Sequence, residues 1–168
     1  MLLALQVSAV LLVAVAMSLA LAHALELPGK LRLDEQTYLS VQAIYYPGFT
    51  IGGAAEPLAV IATFMLLFAM HTDRNQFWLI LIAFCAVLAM QIVFWLVTQP
   101  TNRFWLRNER LGTTGAQFFS IDRSKQGAEG NRQSSEWQRL RNRWEYSHVV
   151  RAVLSAISLV ALVIAVAK

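Results

Sequence analysis

Six ionisable residues in a mostly apolar chain carry the chemistry that this sequence can offer. Glu145, His148 and Arg151 recur at spacings of three, on one face of a helix that runs on into apolar sequence as far as Ala167. His23 and Glu26 close a first apolar run, and Glu56 interrupts a second. An imidazole beside a carboxylate suits general acid–base work near neutral pH, because the carboxylate orients the ring and raises its basicity. A guanidinium nearby can hold an oxyanion as it forms. In hydrocarbon each of these groups is costly unless it finds a partner, so their placement asks for a reason.

The elements that must position them are membrane spans. Of the 168 residues, 57% are hydrophobic and only 14% are charged, where a soluble domain would carry about 25%. Leu2 to Ala22 is free of charge and long enough to cross about 30 Å of hydrocarbon. Ala22-His23-Ala24 has the small-x-small form of a processing site, but no basic segment precedes the run and it exceeds the usual h-region. It therefore reads as a retained span over about 2–25, closed by Pro28-Gly29. Further spans are expected at about 49–70, 77–98 and 147–167, with Pro100 ending the third and Ser134 or Ser135 capping the helix that leads into the fourth. Gly52-Gly53-Ala54-Ala55 offers a thin surface for a neighbouring helix.

Between the first two spans, Asp34 caps a short helix over about 34–46, expected to lie at the interface with its tyrosines at headgroup depth. A glycine-containing polar loop over about 103–133 separates spans three and four and reads as flexible. The expected architecture is thus all-α: one integral membrane four-helix bundle over 1–168, with an interfacial helix after span one and a long basic loop before span four.

Charge sets the orientation. Loops one and three hold eleven Lys and Arg, against Arg74 and Lys168 on the other side. The positive-inside rule places those loops in the cytoplasm and both termini outside, as in a multi-pass cell-membrane protein. The basic stretch Trp137 to Trp144, with the loop before it, then suits anionic lipid headgroups and the bilayer rather than nucleic acid. His71, at the far end, reads as a solvated loop residue. Cys85 is the sole cysteine, so neither a disulfide nor a cysteine-based zinc site is available. No nucleophile elbow, phosphate loop or Cys-x-x-Cys occurs.

With this topology all four spans bring polar groups to one depth near the cytoplasmic face. Three readings fit. In the first the ring is structural, with Glu56 paired to Arg151 and the histidines bonded across helices. In the second, His23, Glu26, Glu56, Glu145 and His148 approach the carboxylate–histidine inventory of a di-iron bundle, one carboxylate short. In the third, a metal-free pocket holds a small lipophilic molecule. His148 or His23 would be its general base, Glu145 or Glu56 would orient the ring, and Arg151 would hold a phenolate or enolate.

The chain also carries Leu27-Pro28 after the first span, Val41-Gln42-Ala43-Ile44, Pro100 and Asn102 after the third, and Trp144, His148 and Arg151 spaced Trp-x-x-x-His-x-x-Arg. In these features it resembles the small four-helix membrane proteins related to fungal anthrone oxygenases, mostly classed as a domain of unknown function. The resemblance spans nearly the whole chain outside 108–133. It departs at Ser147, where family members often carry Asn, and in the length of that loop. The resemblance implies cofactor-independent oxygenation of a reduced polycyclic phenol to a quinone; the cofactor itself is not legible from the residues. The expected activity is then an oxygenase or oxidoreductase acting on a lipophilic aromatic or quinone-like molecule. His148, Glu145, Arg151, His23 and Glu56 are the expected catalytic groups, and Trp144, Asn102, Glu26 and Gln91 the binding groups. The rival is a non-catalytic membrane subunit or lipid-binding module.

Overall fold

The computed structural model describes residues 1–70, 74–105 and 133–167, the side chains of 103–105 and 133–136 aside. It is helical, with no strand among the described residues. The elements are α1 (Leu2–Lys30), α2 (Glu35–Gln42), a 3-10 turn at Ala43–Tyr45, α3 (Gly48–Gly52), α4 (Ala55–Ala69), α5 (Arg74–Val93), a π-helical turn at Phe94–Thr98, α6 (Gln99–Trp105) and α7 (Gln133–Val166). Four stretches, Leu2–Lys30, Gly48–Ala69, Arg74–Asn102 and Trp137–Val166, are long and apolar enough to cross a membrane. The expected all-α membrane bundle is what forms. Most of the long basic loop, and His71, lie outside the described residues.

Helix α7 packs on α1 and α5, and α4 packs on the same two helices, so the four close into a ring. Their shared core is built largely from alanine: Ala9, Ala59, Ala62, Ala83, Ala161 and Ala165 surround Leu66 and Leu162. Lipid tails are as apolar as leucine, so association in a bilayer relies on close approach, which small side chains permit. Buried hydroxyls are satisfied by backbone, Thr63 donating to the Ala59 carbonyl at 2.8 Å and Ser158 to Ala83 of the neighbouring α5 at 2.9 Å. Large side chains such as Leu11, Ile61, Phe64, Phe68 and Val160 point outward, as a lipid-facing belt requires.

Two helices run past the prolines that were expected to end them. Helix α1 continues through Pro28 to Lys30, and the third span continues through Pro100 as α6. A proline deprives the carbonyl four residues earlier of its helical donor. At Pro100 that carbonyl belongs to Leu96, and Arg143 of α7 donates to it at 3.2 Å. The π-helical turn directly before Pro100 adjusts the ladder at the same place. The second span departs the other way: it is broken at Gly53-Ala54 into α3 and α4, and Pro57 lies in the first turn of α4, where its missing N–H is tolerated. The helix before the fourth span is already formed at Gln133, so Ser134 and Ser135 are helical rather than capping residues.

Helix α2 is capped as expected, Asp34 accepting from the Thr37 amide at 2.8 Å. That hydrogen bond holds the Asp34 carboxyl below its ordinary pKa. Its tyrosine does not face outward, however. Tyr38 is wholly buried against Trp137, and Trp137 is likewise buried. Arg141 covers the Trp137 ring at 4.9 Å, while Gln138, Arg139, Asn142 and Arg143 face out.

Gly52 is where α3 meets α1, since a Cβ added there would lie 2.9 Å from Leu19 Cδ1. Gly52→Ala needs only the tip of Leu19 to give, and is expected to cost less than about 1 kcal/mol, whereas Gly52→Leu forces the helices apart at about 1–3 kcal/mol. Thermal unfolding of the two variants in detergent checks the order; equal melting temperatures would contradict the close approach.

Candidate functional site

Where α1, α3, the π-helical turn and α7 meet, a cavity of about 310 Å³ opens. This is the lower end of the roughly 300–1,000 Å³ typical of small-molecule sites. Its wall is mostly apolar, with Leu19, Ala20, Phe49, Pro57, Phe94 and Trp95. The break in the second span puts Phe49, Thr50 and Gly53 into that wall, and the π-helical turn puts Phe94, Trp95 and Thr98 there. Irregular helix at membrane depth is tolerated where it lines a cavity, and both irregular turns do so here.

His23, Gln91, Asn102, Trp144, His148 and Arg151 all line this space. His23 and His148 lie against each other with ring centroids 4.3 Å apart and planes inclined by 59°, and Trp144 lies within 4.8 Å of both. The Trp144 indole donates to Asn102 Oδ1 at 2.6 Å, and Asn102 donates to Gln99 at 3.2 Å, so the indole is held in place. His148 Nδ1 lies 3.0 Å from the Trp144 carbonyl, one helical turn back. A carbonyl only accepts, so Nδ1 carries the proton and Nε2 of the neutral ring keeps its lone pair.

The carboxylates take other places than expected. Glu56 and Glu145 are buried but do not line the cavity. Glu56 binds the Arg151 guanidinium at 2.5 Å. Glu145 accepts from the Tyr38 hydroxyl at 2.9 Å and faces Lys30 at 3.5 Å, so it does not orient the His148 ring. Glu26 is 43% exposed, bound to Lys30 at 2.9 Å and to the Tyr45 hydroxyl at 2.6 Å, outside the cavity wall. Since every carboxylate is turned to a cation, the carboxylate–histidine ligand set does not assemble. Among the described residues no three of His, Cys, Asp and Glu gather as a metal-binding group.

Burial first, and then the Glu145 carboxylate, push the Tyr38 phenol above its ordinary pKa. Burial and the Glu26 hydrogen bond do the same to Tyr45. Both phenols therefore stay protonated and act as fixed donors.

Several polar atoms at the site have no partner among the described residues: Gln42 Nε2, Gln91 Oε1 and Arg151 Nε. All three belong to residues of the cavity wall.

Sequence reasoning missed Lys30, Gln42, Tyr38 and Tyr45. Lys30 follows Glu26 by four residues and His23 by seven, a helical face that becomes visible only if α1 passes Pro28. Gln42 stood in a motif but had no assigned role.

Helix ring, a broken span and a part-polar cavity define a helical membrane protein that encloses a small, mainly apolar space. The family model for anthrone oxygenase matches residues 42–161, more than half of the chain, and the chain belongs to that family. Gln42, Asn102, Trp144, His148 and Arg151 fall inside the matched segment, and His23, Glu26 and Lys30 precede it. No curated protein and no solved structure matches the chain.

Glu56→Ala leaves the Arg151 charge buried without its carboxylate and is expected to destabilise the bundle by about 3–5 kcal/mol. Adding Arg151→Met should restore most of that loss. Urea or thermal unfolding in mild detergent reads both, and a double variant no more stable than the single one would contradict the pairing.

Proposed function

We propose that the protein is an oxygenase that binds a reduced, lipophilic polycyclic phenol in this cavity and converts it to a quinone. The observation that carries the reading is His148: its Nδ1 is tied to the Trp144 carbonyl, which leaves an unprotonated, accepting Nε2 on a ring that lines an apolar cavity beside Arg151. Family membership supports the reaction class.

On this reading His148 Nε2 takes a proton from the activated C–H of the substrate's reduced ring. The electron pair moves onto the ring oxygen, which Arg151 holds; its charge is already balanced by Glu56, so it acts as an oriented donor. Dioxygen then accepts electrons from the ring carbon and bonds to it, and loss of water leaves a carbonyl. The balance is CH2 + O2 → C=O + H2O. The apolar wall suits the ring system, and a bilayer is where such a substrate partitions.

General base catalysis is worth about 10²–10⁴ in rate. His148→Gln is therefore expected to lower quinone formation and oxygen uptake by that factor, with an unchanged melting temperature. Equal turnover in the variant would remove His148 as the base. A variant that does not fold, beside a Glu145→Gln variant that behaves as wild type, would favour a structural ring.

We also infer that the cavity lies toward the cytoplasmic face. The excess of eleven basic residues over two, on the side where α1 ends and α7 begins, supports that orientation. A reporter enzyme fused after Lys168 is expected to be active only outside the cytoplasm, and cytoplasmic activity would reverse the placement.

A further inference from the structure

We infer that Lys30 is a positioning residue that fixes His23 as a hydrogen-bond donor to the ligand, opposite in polarity to His148. This rests on the cavity being the ligand site; the hydrogen-bond argument itself does not depend on the reaction.

Lys30 is buried at 4% exposure near the end of α1. An ammonium has three N–H donors and no acceptor. Three acceptors surround it: Glu26 Oε2 at 2.9 Å, His23 Nδ1 at 3.1 Å and Glu145 Oε1 at 3.5 Å. The faces of Tyr45 and Trp144, at 4.6 and 5.1 Å, favour the cation further. Two carboxylates hold the charge in place, and a charged lysine can only donate. His23 Nδ1 must therefore be the acceptor, and in the neutral ring the proton resides on Nε2.

The result is two histidines of opposite tautomer on one cavity wall. His148 presents a lone pair at Nε2, and His23 presents an N–H there. The rings pack at 4.3 Å with planes inclined by 59°, His23 among Tyr45, Phe49 and Trp144 and His148 beside Trp144, and neither can flip without losing its Nδ1 partner. In the proposed reaction the proton leaves the substrate carbon for His148 Nε2. The electron pair moves to the ring oxygen, and His23 Nε2–H can hydrogen-bond that oxygen without giving up its proton. Glu26 and Glu145 act one step further out, by keeping Lys30 charged and aimed at His23.

The test is nitrogen-15 NMR of the full chain labelled at histidine, in detergent micelles, with resonances assigned through His71→Gln and His148→Gln. Wild type is expected to show His23 with a bare Nδ1 and a protonated Nε2, and His148 the reverse. Lys30→Met should move the His23 pair toward the averaged shifts of an interchanging ring and leave His148 in place. If the single variant does not fold, Lys30→Met combined with Glu145→Gln removes the stranded carboxylate charge and carries the same expectation. A wild-type His23 protonated at Nδ1, or His23 shifts unaltered by loss of Lys30, would overturn the proposal. Turnover of the phenol should fall about tenfold to a hundredfold in Lys30→Met, less than the 10²–10³ lost with a direct oxyanion donor. Should the shifts behave as expected while wild type oxidises no phenol, the reaction assignment fails and the role of Lys30 stands.

Discussion

A charge placed in hydrocarbon must be neutralised within hydrogen-bond reach, and the polar end of this bundle is arranged by that constraint. Arg151 and Lys30 are buried at the cavity end, and each is paired with carboxylate. Arg151 of α7 takes Glu56 of α4, and Lys30 of α1 takes Glu145 of α7 and Glu26 of its own helix. The Arg151–Glu56 and Lys30–Glu145 pairs cross between helices, so they set the rotation of α1, α4 and α7 about their axes in a way that alanine contacts cannot. The one carboxylate in excess, Glu26, is also the one that reaches solvent. The neighbouring phenols of Tyr38 and Tyr45 complete the set by donating to Glu145 and Glu26.

Once the rotations are set, the cavity follows from two local failures of helical regularity. The second span breaks after Gly53, and the third passes through a π-helical turn before Pro100. Straight helices at these positions would continue the alanine-lined packing seen at the other end of the bundle. Instead the breaks turn Phe49, Phe94 and Trp95 toward a shared space that His23, His148 and Arg151 also reach. The cost of irregular backbone is limited because the freed Leu96 carbonyl is taken by Arg143, and a residue that set the membrane orientation in sequence also repairs the helix.

The spans, their number and the convergence of His23, Glu56, Glu145, His148 and Arg151 at one depth were legible from hydropathy and charge. Those signals are strong because the bilayer penalises every exception. The roles within the cluster were not legible. Glu145 and His148 lie three apart on one helix, which suggested a pair, yet in space Glu145 is drawn to Lys30 and Tyr38 from α1 and α2. Proline misled twice: α1 runs through Pro28, and at Pro100 a neighbouring side chain and an adjusted turn accommodate the lost hydrogen bond. Reading Pro28 as a stop removed Lys30 from the helical face of His23. The burial of Tyr38 and Trp137 against each other was not legible either, because amphipathic aromatics beside a span carry no signal that separates an outward-facing ring from a covered one.

A ring of charges that served packing alone would close its hydrogen bonds, since an unsatisfied polar atom in a water-poor interior is expensive. This ring does not close. Outside the cavity wall Glu56 Oε1 and Glu145 Oε2 lack a partner, and within the wall Gln42 Nε2, Arg151 Nε and Gln91 Oε1 remain without partners among the described residues. Two of the wall atoms are donors and one is an acceptor, set beside an imidazole lone pair on His148. A molecule that satisfied them would carry oxygen at more than one position of an otherwise apolar frame. An aliphatic lipid tail offers no such oxygens, whereas a planar ring bearing carbonyl and hydroxyl groups does. The three open positions of the wall are the hydrogen-bonding support for the ligand site proposed above, and they stand apart from the family to which the chain belongs.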